Sequence, residues 1–332
     1  MICTLVATEI FNISDAKRRD GQFFTCRSPF SHTEFLAWAH RAGLRTSTLI
    51  EPFAGGGDSV RMLLDADLIK DVRAFDINPA ADWIEQRNTL LDYPDIDGVV
   101  VTNPPYIARN SARRRRIVFP DTIYQDAYLE ALSLMLGRSE FVAAILPAAF
   151  GTLDLFRDRL THLIDLPFRD MFNDTCHPVC LALFEKSSES TTLWVWERQL
   201  GIECQLRDAL PRLPVTVNVR FNSPTGLIGL KAVDTSSHAS IAFVRGGSIP
   251  QSAIKNSSRI VTRLDVDGVD ERSVDAVISA ANERLERIRS LSEDVILTPF
   301  KGIRQDGCFR RRLDYRTARI VLSLAIESLK IT

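Results

Sequence analysis

Three stretches of this chain are apolar at nearly every position: Val99-Val100-Val101-Thr102, Phe141 to Leu146 and Val179 to Phe184. A strand reads this way when both faces of its sheet are covered, which in an α/β protein means helices on either side. Helical patterns alternate with these runs. Ser31-His32-Thr33-Glu34 reads as a capping box opening a helix through Trp38 to Gly43. Asp58 to about Asp65, Asp121 to Leu136 and Leu153 to Ile164 carry the spacing of further helices, and Thr48 to Ile50 and Val72 to Phe75 read as shorter strands. The expected fold is α/β, a doubly wound, mostly parallel, Rossmann-like sheet.

The pattern changes after Lys186. A polar stretch, Ser187 to Thr192, leads into short strand-like pieces with turn signals at Pro211, Pro214, Pro224-Thr225-Gly226 and Gly246-Gly247. Two amphipathic helices follow, Ser273 to Ser290 and Tyr315 to Leu329. This predicts two domains, residues 1–188 and a smaller α+β domain over residues 189–332. A length of 332 residues fits two domains and gives ample core without disulfides.

Forty-one Lys and Arg against forty-two Asp and Glu leave a formal charge of -1, so any polyanion must be held by local patches. The six cysteines are scattered, and no run approaches the roughly 20 apolar residues that span a bilayer. The expectation is a soluble cytoplasmic protein with reduced thiols and no membrane partner. Cys176 and Cys180 flank His177, but no second pair at finger spacing accompanies them, so no metal is expected.

The chemistry-bearing residues fall at the ends of the predicted strands. Glu51-Pro52-Phe53-Ala54-Gly55-Gly56-Gly57-Asp58 lies where the first strand turns into a helix, and glycines there let backbone approach a ligand. The spacing is neither a dinucleotide fingerprint nor a P-loop, since no Gly-Lys-Ser/Thr follows. Asp76 ends the next strand, 21 residues beyond Gly55, where a carboxylate can accept both hydroxyls of a ribose. Asn103-Pro104-Pro105-Tyr106 follows the most continuous apolar run. Its prolines hold the chain extended, so the Pro104 carbonyl and the Asn103 side-chain oxygen can converge on one planar amino group. Tyr106 offers a flat face to the ring carrying that group.

Taken in this order, Glu51-Pro-Phe-Ala-Gly-Gly-Gly, Asp76 and Asn103-Pro-Pro-Tyr106 resemble the S-adenosylmethionine-dependent amino-methyltransferases. More narrowly, they are similar to DNA adenine-N6 methyltransferases of the gamma arrangement, whose catalytic domain precedes a target recognition domain. Gly21-Gln22-Phe23-Phe24-Thr25 resembles the family's N-terminal cofactor motif, with Cys26 in place of its usual proline. Thr122 to Met135 is similar to its post-catalytic helix, and Met171-Phe172-Asn173 with Val179 to Lys186 to its eighth motif. The resemblance covers about residues 17 to 186.

The resemblance implies S-adenosyl-L-methionine as cofactor, contacted by Phe24, Thr25, Glu51, Pro52, Phe53, Ala54, Gly55, Gly57, Asp76, Ile77, Asn88 and Asn103. Asn88 stands where the family often has an acidic residue, with Asp92 four residues on. It implies Asn103, Pro104 and Tyr106 as the catalytic set, acting on an adenine flipped out of double-stranded DNA, with Tyr106 on one face of the base and Phe172 on the other. No Pro-Cys pair occurs, which counts against carbon methylation of cytosine. The partners implied are double-stranded DNA and a cognate restriction endonuclease in a restriction-modification system. The expected assembly is a monomer or weak dimer.

Two basic clusters supply candidate phosphate contacts: Arg113, Arg114, Arg115 and Arg116 in an expected loop, and Lys301, Arg304, Arg310, Arg311 and Arg312 near the C-terminus. The same tetrapeptide also serves methyltransferases of RNA adenine N6 and of protein glutamine N5. A degenerate methyltransferase fold acting only as a DNA-binding subunit is the non-enzymatic alternative.

Overall fold

The computed structural model describes residues 28–167, 171–172, 177–207, 217–254 and 260–330. Phe24, Thr25, Cys176, Pro211 and Pro214 lie outside them. Two compact units emerge, one holding residues 1–150 and 154–198, the other residues 151–153 and 199–332. The first unit thus ends some ten residues beyond the boundary expected at 188.

The main sheet contains β1 (Thr48–Glu51), β2 (Asp71–Asp76), β3 (Glu85–Gln86), β4 (Val99–Thr102), β5 (Val142–Pro147), β6 (Leu160–Leu166), β7 (Val179–Phe184), β8 (Thr192–Val195) and β9 (Arg198–Ile202), the last being where the chain passes to the second unit. Their order is β3-β2-β1-β4-β5-β7-β6-β8-β9. β1 pairs in parallel with both β2 and β4, and β4 with β5. β7 is inserted antiparallel between β5 and β6. Because β2 and β4 flank β1 on opposite sides, the direction of winding reverses there, which opens a crevice at the carboxyl ends of β1 and β4. Gly98, at the entry to β4, makes that pairing close: a Cβ there would lie 2.4 Å from the Thr48 carbonyl oxygen.

Among the described residues, the helices α1 (Thr33–Arg41), α2 (Asp58–Asp65), α3 (Arg109–Arg115) and α4 (Ala127–Arg138) accompany these strands. Every residue of β4, β5 and β7 is buried, as the continuous apolar runs required. Phe35 and Trp38 of α1 join Leu49, Val99, Val101, Ile145 and Leu181 in one cluster. Each such side chain contributes about 1.5–3 kcal/mol by leaving water. The Trp38 indole donates to the Phe184 carbonyl at 3.0 Å, so its polar edge is satisfied within that core.

Several local expectations change. The cap of α1 is His32 rather than Ser31: its Nδ1 accepts from the Glu34 amide at 3.1 Å, leaving Nε2 to donate to the Trp196 carbonyl at 2.8 Å. Leu153 to Ile164 is not a helix; its second half is β6, held between β7 and β8. A register shift between Leu160 and His162 breaks the strand alternation, and the apolar spacing then imitates a helical face. The helix expected from Asp121 begins only at Ala127, after a turn. The Arg113 to Arg115 run lies on α3 rather than in a loop, and Arg116 ends that helix in the left-handed region.

The second unit is α+β. β10 (Val219–Phe221), β11 (Ile228–Lys231), β12 (Ala242–Arg245) and β13 (Val261–Val266) form an antiparallel sheet of order β10-β13-β11-β12, and β14 (Thr298–Ile303) pairs with β15 (Phe309–Arg312). α5 (Glu203–Arg207), α6 (Val274–Ser292) and α7 (Tyr315–Ser328) complete it. Asn282 of α6 binds the edge strand β12 through both amide groups, accepting from Phe243 N–H and donating to its carbonyl at 2.8 Å each. That contact occupies backbone an edge strand would otherwise expose.

Candidate active site

β1 delivers Glu51 to the crevice, buried at the strand's end. The following turn closes on itself, with Gly57 N–H donating to the Ala54 carbonyl at 2.7 Å, and is tied to β2 by Ala54 N–H on the Phe75 carbonyl at 2.8 Å. Gly57 has φ +78°, and a Cβ there would lie 2.5 Å from the Trp83 ring. Two constraints therefore require glycine at this position, backbone hand and the indole lying over it.

Asp76 ends β2 and reaches this turn. Its carboxylate accepts from Gly55 N–H and from Asn78 N–H, each at 2.8 Å. Burial raises its pKa against these hydrogen bonds. Glu51 shows the stronger effect. Burial pushes its carboxyl up to about 8, although the Thr102 hydroxyl and the Phe53 amide both donate to it, and the nearby Asp76 charge adds to the rise. Two carboxyl groups thus converge where β1 and β2 end.

Asn103 leaves the end of β4 directly beyond Thr102, which is itself bonded to Glu51. The Tyr106 hydroxyl lies 2.6 Å from Asn103 Oδ1 and 2.7 Å from the Ile145 carbonyl, so its single proton is shared between two acceptors. Burial raises the Tyr106 pKa well above the ordinary phenol value, so the hydroxyl stays a donor. An amide oxygen has two lone pairs, so one bond to Tyr106 leaves Asn103 chemically able to accept a second. Among the described residues, no backbone donor engages the Pro104 carbonyl.

The structure brings Glu51, Pro52, Phe53, Ala54, Gly55, Gly57 and Asp76 into one turn-and-strand-end group, with Ile77 next to Asp76 and half-exposed. Asn88 belongs to the same neighbourhood, because the hydroxyl of its neighbour Thr89 donates to the Pro52 carbonyl at 2.7 Å. Asp92 is largely exposed and faces Arg87, so it is the weaker candidate. Phe172 meets Tyr106 edge-on, centroids 6.4 Å apart at 73°, and is buried. It forms a side wall to the Tyr106 ring; it does not lie parallel across a base-thick gap, as a two-sided sandwich requires. The His177 ring lies closer to parallel with Tyr106 than Phe172 does, at 5.7 Å and 34°.

The C-terminal basic cluster is also corrected. Arg304 and Arg311 are buried. Arg304 pairs with Asp234, Asp294 and Asp306, and the Arg311 backbone amide donates to Asp234. Arg310 Nε donates to the Asp234 carbonyl at 2.6 Å, Arg312 is half-buried, and Lys301 lies on β14. The Arg304 guanidinium is committed to carboxylates, and Arg311 is withdrawn from the surface by burial, so neither is available to a phosphate. By contrast, Arg113, Arg114, Arg115 and Arg116 are all exposed.

Two residues that the sequence reading passed over belong to this region. Tyr93 has a buried hydroxyl with no hydrogen-bond partner among the described residues, within electrostatic reach of Glu51. Trp83 covers Gly57. Neither falls in a motif; only an aromatic following each of two candidate cofactor segments could have marked them.

No family model matches the chain, and no curated protein does. Solved structures are similar to part of it. A methyltransferase subunit of a type I restriction-modification system from Streptococcus thermophilus is 15% identical with a TM-score of 0.38, over 52% of this chain and 46% of that one. The type IIG restriction endonuclease BpuSI is 17% identical with a TM-score of 0.39, over 54% and 28%. A DrdV–DNA complex is 15% identical with a TM-score of 0.41, over 55% and 28%. The chain spans half or less of the length of each.

Proposed function

We propose that this chain transfers a methyl group from S-adenosylmethionine to the N6 amino group of adenine in double-stranded DNA. One observation carries the reading. Asn103 and Pro104 stand at the carboxyl end of β4 beside the turn from β1, at the reversal of strand order, with the Tyr106 hydroxyl bonded to Asn103. The fold supports a ligand crevice there, and the tetrapeptide supports a planar amine as the reacting group.

The residues fit the cofactor. Glu51 and Asp76 are acceptors suited to an ammonium and a ribose, and the unpartnered Tyr93 hydroxyl is a buried polar atom that a bound molecule would satisfy. When bound, the sulfonium supplies an electrophilic methyl group. The chain's own work is positioning. Asn103 Oδ1 and the Pro104 carbonyl accept both hydrogens of the amine, which favours a more tetrahedral nitrogen with its lone pair aimed at the donor. Tyr106 supports the base that carries it, and Phe172 limits its sideways travel.

A paired base cannot reach a strand-end crevice, so the adenine must leave the stack. The exposed arginines from Arg113 to Arg116 are the phosphate contacts in this reading, while Arg304 and Arg311 are withdrawn from that role. Lys301, Arg310 and Arg312 stay as contacts of the second unit. The setting that goes with this chemistry is the modification arm of a restriction-modification system.

The test is transfer of labelled methyl from S-adenosylmethionine into duplex DNA, RNA and protein, followed by identification of the modified group. Label at adenine N6 in duplex DNA, lost on Asn103→Ala with cofactor binding retained, is the expected result. Label confined to RNA or protein, or an Asn103→Ala variant that still turns over, would overturn the assignment.

A further inference from the structure

The segment between Tyr106 and α4 is a small structure of its own. It leaves and returns at one place: Ala127 N–H donates to the Ile107 carbonyl at 2.9 Å, Arg109 N–H to the Gln125 carbonyl at 2.7 Å, and Ala108 bridges Asp126. Inside it, Ile117 and Phe119 pack with Leu90 on buried Ile107, Ala112 and Ala127. Alternation then turns Val118 outward, 76% exposed, and Ile123 is 87% exposed, the two highest values among large apolar side chains of the described residues.

A single guanidinium braces both. Arg109 Nη2 donates to the Thr122 carbonyl and, at 2.9 Å, to the Tyr124 carbonyl, the two that flank Ile123. The same group lies over the ring of Phe119, the neighbour of Val118, at 4.7 Å. Two exposed apolar side chains are therefore held on a fixed backbone rather than left on a loose loop. Beside them, Arg113, Arg114 and Arg116 are exposed and meet no carboxylate among the described residues. Two exposed apolar side chains on one braced segment, with uncompensated positive charge beside them in the chain, are complementary to a polyanion with an apolar interior. Duplex DNA is such a ligand, with phosphates outside and stacked bases within.

We propose that Val118 and Ile123 form a wedge that enters the duplex beside the extruded adenine and occupies the vacated space in the base stack. Arg109 is its positioning residue, and the α3 arginines hold the flanking phosphates. The inference rests on the DNA methyltransferase reading and deepens it. Extrusion leaves the faces of the neighbouring bases unstacked, and apolar side chains inserted there recover part of that cost.

The test measures affinity for a short labelled duplex, for the same duplex with one central abasic site, and for its single strand. The wild-type chain should prefer the abasic duplex by about fivefold or more, since its vacancy is already open to the wedge. Val118→Ser with Ile123→Ser should reduce that preference to within about twofold, and Ile123→Thr alone should reduce it partway. Arg113→Gln with Arg114→Gln should instead weaken both duplexes alike. A double variant that keeps the preference, or a wild type that never shows it, overturns the wedge. If wild type methylates duplex DNA without that preference, the wedge alone falls. If it binds neither duplex, the DNA reading falls as well.

Discussion

The Tyr106 hydroxyl and the Asn103 side-chain oxygen lie 2.6 Å apart, within one tetrapeptide. In the proposed reading, the residue that would offer a ring to the base therefore also restrains the rotation of the amide that would accept from it. Tyr106→Phe keeps the ring and removes this bond, so Asn103 gains freedom at the reacting centre. Losing one such bond is worth about 1 kcal/mol, and we expect methyl transfer to fall by roughly fivefold. Binding of S-adenosylhomocysteine, followed by calorimetry, should be unaffected. An unchanged transfer rate would show that Asn103 is held by other means.

Glu51 predicts a pH signature. Burial raises its carboxyl from 4.5 to about 8, so at neutral pH the folded chain holds a proton that the unfolded chain has released. Stability contributed by this group is therefore full below pH 4.5, declines as pH rises towards 8, and is level above it. A cationic ligand beside Glu51 favours the ionised form. Affinity for S-adenosylmethionine should rise with pH through about 8, with proton release visible as a buffer-dependent heat. Glu51→Gln should flatten that profile and weaken binding by about tenfold. A pH-independent affinity in wild type would place the ammonium elsewhere.

Asp234 predicts the opposite slope in the second unit. Burial opposes its charge, but Arg289, the Ser240 amide and the Arg311 amide outweigh it and hold the carboxyl near 2, below its ordinary 3.8. Its contribution is present above pH 3.8 and is lost as pH falls through 2. Asp234→Ala leaves Arg289 and Arg304 partly unpaired, and removing one partner of a buried pair costs about 3–5 kcal/mol. Chemical denaturation of the full chain, followed by near-ultraviolet dichroism, should show a transition shifted to lower denaturant. No shift would mean that Asp294 and Asp306 suffice to hold both arginines.

That network also shows where sequence reading reaches its limit. Between Lys301 and Arg319 only Asp306 and Asp314 are acidic, so the run looked uncompensated; Arg304 also pairs with Asp294, just before the run, and with Asp234, 70 residues away. Charge balance in a fold is set by such distant pairs, which local composition does not display. β4, β5 and β7 were legible because a strand buried on both faces has no polar side to confuse its pattern. β6 was not, because its register shift erased the period of two. The turn after β1, Asp76 and the Asn103 tetrapeptide were legible because each follows a strand end and has a chemically narrow composition. Tyr93 was hidden, since a partnerless hydroxyl is visible only once its surroundings are folded.

The α3 arginines make the remaining prediction. Arg113 and Arg114 on α3, and Arg116 at its C-terminal cap, are exposed with no carboxylate partner among the described residues. Each phosphate neutralised by such a side chain releases counterions, so the logarithm of the binding constant falls with that of salt by about 0.9 per contact. Replacing all three by Gln should therefore lower the steepness of the salt dependence by about 2 to 3, and affinity should fall most at low ionic strength. Gln keeps the helical propensity at Arg113 and Arg114 and a polar side chain at all three positions, so the main change is the loss of charge. The same replacement at Arg304 should leave the salt slope unchanged and lower thermal stability, because its charge is spent inside the second unit. Equal salt slopes for wild type and the triple variant would move the phosphate contacts off α3, and with them the approach of the duplex to Asn103.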